Sequence, residues 1–254
     1  MAINYVPLDK EKHKDLKIAV QNSFKYAGGT HLAAASIREF AQLGSCMPIV
    51  FIQDPKAERY HVVAMLGMEA NQNMYIEGDK WKAPHVPMNI LRYPFDVRPD
   101  GDKLGVFIDE NCDMFGDEGE RLFTESGEPS EFLQNRQNLL GELANSEMVT
   151  KRFVEKVVEL DLLDPIQIRL TYVDGSARNV TGMFSINERK LLELSDEVVL
   201  ELHKNGFLGA MYALMLSLGQ LNRLVELSNS TDKPIQNMQL SAANAAAQEQ
   251  AAAQ

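Results

Sequence analysis

Between positions 81 and 95 the chain gathers Trp81, His85, Arg92, Tyr93 and Phe95 among Pro84, Pro87 and Pro94, and Trp81 is its only tryptophan. Tryptophan, tyrosine and arginine are the usual anchors of recognition surfaces, and proline lowers the entropy lost when a guest is held. Arg92 could supply a charge-assisted hydrogen bond and the aromatic rings apolar walls. The segment therefore predicts a rigid groove for a peptide or a small organic anion. The competing account is purely architectural, with Trp81 and Phe95 roofing the core and Arg92 paired to one of many carboxylates.

A second constellation is acidic. Asp109, Asn111, Asp113, Asp117 and Glu120 occupy places 1, 3, 5, 9 and 12 of a twelve-residue calcium loop. Met114 stands where such a loop needs glycine, and the entering residues Val106–Ile108 read as strand, so a solvated acidic loop competes with the metal reading. The five histidines, His13, His31, His61, His85 and His203, include no pair spaced for ligation on one helix. His31 follows Gly28, Gly29 and Thr30 ahead of an expected helix, where backbone N–H groups could hold an anion or Thr30 could simply cap. His61 lies in an apolar run and reads as a hydrogen-bonded sheet residue. An enzymatic alternative would use His31 or His61 as base near Asp109 or Glu118. No P-loop, G-x-G-x-x-G, H-E-x-x-H, G-x-S-x-G or C-x-x-C stretch occurs, and no cofactor is called for.

The elements that must position these residues belong to an ordinary folded chain. It has 254 residues, 45% hydrophobic and 24% charged, enough to bury a large core without a disulfide or metal. Cys46 and Cys112 match neither a disulfide framework nor a zinc site. With 36 acids against 25 bases the net charge is −11, which argues against nucleic acid or an anionic membrane as the main partner. The most apolar stretch, 206–221, falls short of the roughly 20 residues needed to span a bilayer and reads as a buried helix. The first fifteen residues carry Asp9, Lys10, Glu11, Lys12 and Lys14 and no apolar run, so the expected location is the cytoplasm.

Apolar runs at 49–52 and 60–66, joined by a short polar loop, predict a hairpin, and 74–76 and 106–108 are further strand candidates. Residues 32–43 carry helical spacing. Ser130 starts a helix that runs to about Leu163 with a break near Gly141. Alternation on both sides of Asp174-Gly175 predicts another hairpin; parity requires a three-residue loop or a bulge, setting Leu170 opposite Val180 and Ile166 opposite Phe184. Ser185 with Glu188 forms a capping box, Ser195 caps a further helix, and 207–227 makes the last. The expected fold is α+β, a mainly antiparallel sheet with a helical C-terminal half, as one folded unit over 1–228. Residues 229–254, ending AANAAAQEQAAAQ, are expected to be a flexible Ala/Gln-rich tail.

Several stretches together, HLAAASIREFAQLGSCMPIVF, NMYIEGDKWKAPHVPMNILRYPF, GERLFTESGEP and LLELSDEVVLELHKNGFLGAMYALMLSLGQLNRL, resemble the bacterial SapC family, named for surface-layer-associated proteins. Relatives usually show an aromatic-Ile-Pro core and paired arginines before Tyr-Pro-Phe, where this chain has His85-Val86-Pro87 and Leu91-Arg92. The resemblance implies an accessory role in modification or uptake, beside halogenase-like or cupin-like enzymes, or alternatively a surface-layer association. It brings no established catalytic residues.

Overall fold

The computed structural model describes residues 3–19, 23–54, 56–101 and 103–243. The protein is α+β, with antiparallel sheets and most of its helices in the second half of the chain. The chain divides into two compact units, each assembled from two stretches: Met1–Ser23 with Met88–Met148, and Phe24–Pro87 with Val149–Gln254.

The larger unit is built on a six-stranded antiparallel sheet. From one edge to the other its strands are Ile235–Ala242, Leu163–Tyr172, Ala177–Ile186, Ile49–Asp54, Arg59–Met65 and Leu32–Ala34. The expected hairpin of Ile49–Asp54 and Arg59–Met65 is present, and joins the second hairpin through Phe51 opposite Phe184 and Ile52 opposite Met183. Burial of Ile49, Val50, Phe51 and residues 62–66 explains why these positions are apolar on both faces of the sheet, while His61, at the exposed end of its strand, is polar. Phe153, from the helix Glu131–Glu159, meets Phe40, Phe51 and Phe207 with ring centroids 5.7, 6.2 and 5.5 Å away. Ser217 closes one polar gap in this core: its hydroxyl accepts from the Ile49 N–H at 2.8 Å and donates to the Leu214 carbonyl at 2.6 Å.

The second hairpin has a three-residue loop, with Tyr172 N–H donating to Ser176 O and Gly175 at φ +83°. Its register differs from the expected one, since Leu170 faces Arg178. A shift between Ile166 and Ile168, next to Gly182 at φ +83°, then sets Ile166 opposite Met183. Loop and bulge act in series, so parity along the strand changes part way. The expected helix over 32–43 is also corrected. Leu32–Ala34 is an edge strand, Ile37–Glu39 a 3-10 turn and only Phe40–Gly44 α-helix. Alanine's helical preference yields there to the ladder offered by Met65, Ala64 and Val63.

Two further expectations change. The Glu131–Glu159 helix continues through Gly141 without a break, Ser130 Oγ accepting from the Leu133 N–H at 3.2 Å as a cap. Asn187, not Ser185, caps Glu188–Leu192, its side chain accepting from the Lys190 N–H. The tail expected from 229 onward contains a strand: Ile235–Ala242 pairs with Leu163–Tyr172, and Ile235 is buried, its N–H donating to Ser228 Oγ. Its polar composition hides it, because the ladder comes from the neighbouring strand's free edge. The remainder of the expected tail, 244–254, lies outside the described residues.

The smaller unit has a meander of Tyr5–Pro7, Lys103–Asp109 and Phe95–Asp100, and a small sheet in which Lys17–Ile18 pairs with Phe115–Gly116 and Glu120–Arg121. Ile18, Phe95, Ile108, Leu122, Leu133 and Leu140 form its core. No helix among the described residues is long and apolar enough to cross a membrane.

Candidate functional site

The residues expected to line one groove fall in both units. Trp81, His85 and His31 belong to the larger; Arg92, Tyr93 and Phe95 belong to the smaller.

In the larger unit Trp81 ends the short strand Lys80–Trp81, paired with Ile76–Glu77. Its indole is half-buried, stacks on Tyr75 (5.8 Å, 20°) and tilts against Phe24 (5.6 Å, 55°), which touches Tyr26 in turn. The indole N–H donates to the His85 carbonyl at 2.8 Å. Tyr75 is fully buried and donates its hydroxyl to the Cys46 carbonyl at 2.7 Å; burial pushes its phenol above the usual range. The His85 ring meets Glu39 Oε2 at 2.9 Å, and Glu39, only 3% exposed, accepts the Ser36 N–H on its other oxygen. Ser36 and Glu39 thus form a capping box whose carboxylate also holds a histidine. Cys46 lies beside this pair, and burial raises its thiol although the His85 backbone N–H opposes the shift, which disfavours a reactive thiolate. Arg223 reaches the Lys82 carbonyl at 3.5 Å and pairs with Glu226 at 2.8 Å.

His31 does not precede a helix, so the expected anion cradle of backbone N–H groups is absent there. A strand follows, and the His31 carbonyl accepts from Leu66 and Gly67. His61 is an exposed strand residue opposite Ile52. A cleft of about 340 Å3 on this unit is lined by Arg152, Glu155, Lys156 and Glu159 with Asn205 and Phe207, and its charges largely compensate one another.

In the smaller unit Phe95 is 0% exposed, a core residue with no face for a guest, which corrects its assignment to a groove wall. Arg92 pairs with Asp96 Oδ1 at 2.6 Å, and Asp96 Oδ2 takes Arg98 Nε at 3.0 Å. The Arg98 guanidinium lies 4.1 Å from the Tyr5 ring centroid, a cation–π contact. Burial first, and then the Asp96 charge, raise the Tyr5 phenol. Tyr93 donates its hydroxyl to Asp109 Oδ2 at 2.9 Å.

The expected calcium ligands do not gather. Among the described residues no three His, Cys, Asp or Glu side chains are placed to share a metal. Asp109 ends a strand, is 1% exposed, and accepts from the Asn4 and Asn111 N–H groups at 2.8 and 3.1 Å as well as from Tyr93. Asn111, Asp113, Asp117 and Glu120 are exposed, and Glu120 stands in a strand facing Ile18. Without glycine at Met114 the chain forms the short sheet in place of a coordinating turn.

Reading the sequence did not single out Glu39, Asp96 or Tyr75. Two signals were present: Ser36-x-x-Glu39 is a capping-box spacing, and Arg92 and Asp96 stand four apart.

These features define an α+β protein with a half-exposed aromatic cluster on one unit and a carboxylate-centred arginine network on the other. The chain belongs to the SapC family, which it matches over residues 8–224. Comparison with curated proteins and with solved structures returns no match.

Proposed function

We propose that this SapC-family chain is a non-enzymatic accessory protein that holds a peptide or small organic anion on the aromatic surface of its larger unit, acting in the cytoplasm with a modification or uptake system. The observation that carries this reading is the state of Trp81. Its N–H is satisfied internally and its orientation is held by Tyr75 and Phe24, yet the ring remains half-exposed. A fixed aromatic face costs little entropy to use, and guests stack on it rather than hydrogen-bond to it. Arg223, beside Lys82, offers the cation for a carboxylate. Arg92 and Tyr93, joined to Asp96 and Asp109, keep a positioning role within the smaller unit. A halogenase-like or cupin-like enzyme is the proposed protein partner.

Because Trp81 is the sole tryptophan, emission excited at 295 nm, where the seven tyrosines scarcely absorb, reports on this surface. The test captures partners from native cells on the full chain and titrates the captured peptide or protein against Trp81 emission. Loss of an anchor residue weakens binding roughly 30-fold or more, so Trp81→Ala is expected to abolish capture. Binding that leaves the emission unchanged and survives Trp81→Ala refutes the reading.

The His85–Glu39 contact favours a second reading, an enzyme of unrecognised type in which buried Glu39 orients His85 as base. Glu39→Gln separates the two, since a binding protein keeps its guest while a catalytic pair loses turnover.

A further inference from the structure

The strand Ile235–Ala242 ends the six-stranded sheet, and among the described residues no strand covers its outer edge. Exposed edges are normally guarded by brevity, charge or proline. The opposite edge, Leu32–Ala34, is guarded by brevity. Ile235–Ala242 has eight residues, IQNMQLSA, with neither a charge nor a proline. In a chain of net charge −11, whose copies repel wherever acids face acids, it is a long exposed strand through which two copies can touch without like charges in register.

The direction of its free backbone groups follows from the ladder. Tyr172 N–H donates to Ser176 O, so Thr171, Arg169 and Gln167 turn the other way, toward Asn237, Gln239 and Ser241. Met238, Leu240 and Ala242 therefore direct their N–H and C=O groups outward, while Gln236 sits at the register shift between Asn237 and Ile235. The Met238 N–H is accordingly found on the Asn237 side chain at 2.8 Å, a stand-in for a missing strand partner.

We propose that this edge pairs with the same strand of a second copy, antiparallel about a two-fold axis at Gln239, making one continuous sheet across a dimer. This register sets Met238 opposite Leu240 of the second copy, Gln236 opposite Ala242, and Asn237 opposite Ser241. The outward backbone groups of Met238 and Leu240 then meet one another, apolar side chains face apolar ones, and Asn237 exchanges its own strand's N–H for a hydroxyl across the axis. A two-fold pairing closes at two copies and leaves only the short Leu32–Ala34 strands at the ends of the joined sheet.

The test uses the full chain. Gln239→Cys brings two thiols together at a non-hydrogen-bonded pair, where Cβ atoms lie about 4.5–5.5 Å apart, near disulfide reach. Under mild oxidation it is expected to give a cross-linked dimer as the main product. Asn237→Cys places its thiols roughly 13 Å apart in this register and is expected to stay uncross-linked. The native Cys46 and Cys112 are buried, so the unaltered chain provides the blank. Leu240→Pro removes only an outward N–H, leaves the ladder to Leu163–Tyr172 intact, and is expected to shift light scattering from dimer to monomer with unchanged circular dichroism. A native chain that is monomeric at 100 µM overturns the proposal, as does a dimer indifferent to Leu240→Pro or a Gln239→Cys variant that cross-links no better than Asn237→Cys. Coverage of this edge by the chain's own residues 244–254 would give the monomeric result.

Discussion

Asp109 separates a metal site from a structural anchor, and replacing it with alanine tests which it is. Its carboxylate is 1% exposed and takes three donors, the Asn4 and Asn111 N–H groups on one oxygen and the Tyr93 hydroxyl on the other. Hydrogen bonds to a charged acceptor contribute about 1.5–3 kcal/mol each. All three contacts are part-buried, so none of the donors is fully rehydrated when the acceptor is lost. The expected loss for Asp109→Ala is therefore about 3–5 kcal/mol, less than the full sum because the three donors relax together. With a urea slope of about 2–3 kcal/mol/M, the midpoint followed by far-ultraviolet circular dichroism falls by roughly 1–2 M. Asp109→Asn retains an acceptor for the two backbone donors, and its expected loss is about half as large. Calorimetry on the native chain with millimolar calcium is expected to give no binding heat, since both carboxylate oxygens are already engaged. An Asp109→Ala variant less than about 1 kcal/mol below the native chain, or calcium heat that this variant removes, refutes the anchoring argument.

Alkaline pH supplies another test, because Tyr75 and Tyr93 are both held above the usual tyrosine value of 10.0. Burial is the main cause, joined at Tyr93 by Cys112 and Asp109. A raised phenol favours the neutral folded form, so its stabilisation is complete below about pH 10 and is lost as pH rises toward the folded value. Absorbance at 295 nm is expected to show these phenols ionising only with unfolding, and Tyr93→Phe to flatten the stability decline above pH 10. Gly119 stands at φ +119° with its Cα against the Ile18 carbonyl, where a methyl group would overlap backbone. Gly119→Ala is expected to cost about 2–4 kcal/mol in thermal melts, while Gly116→Ala, with open space around it, stays within about 1 kcal/mol.

Much of the sheet was legible because its signals are local. The residues 49–51 and 62–66 are apolar on both faces, as buried neighbouring strands must be, and Asp174-Gly175 supplies a residue free to adopt positive φ. The failures occur where the decisive partner is distant in sequence. Ile235–Ala242 has no strand pattern of its own and becomes a strand because Leu163–Tyr172 offers it a ladder. Ser185 yields the cap to Asn187 because it is drawn into the strand Ala177–Ile186.

The candidate site divides along the same line. The sequence alone showed a proline-restrained stretch rich in anchors, and its longer motifs resembled the SapC family, which the chain matches over residues 8–224. Only the tertiary structure decided which anchors face outward, because exposure depends on what packs over a side chain rather than on its type. Phe95 and Trp81 look alike as sequence, yet Ile108, Leu122 and Leu133 share a core with the first, while the second, against Tyr75 and Phe24, stays only partly buried. Asp109 shows the same division for charge: its spacing suggested a metal ligand, and the fold gave its oxygens to Asn4, Asn111 and Tyr93 because a buried carboxylate must be satisfied by whatever donors the folded backbone brings to it.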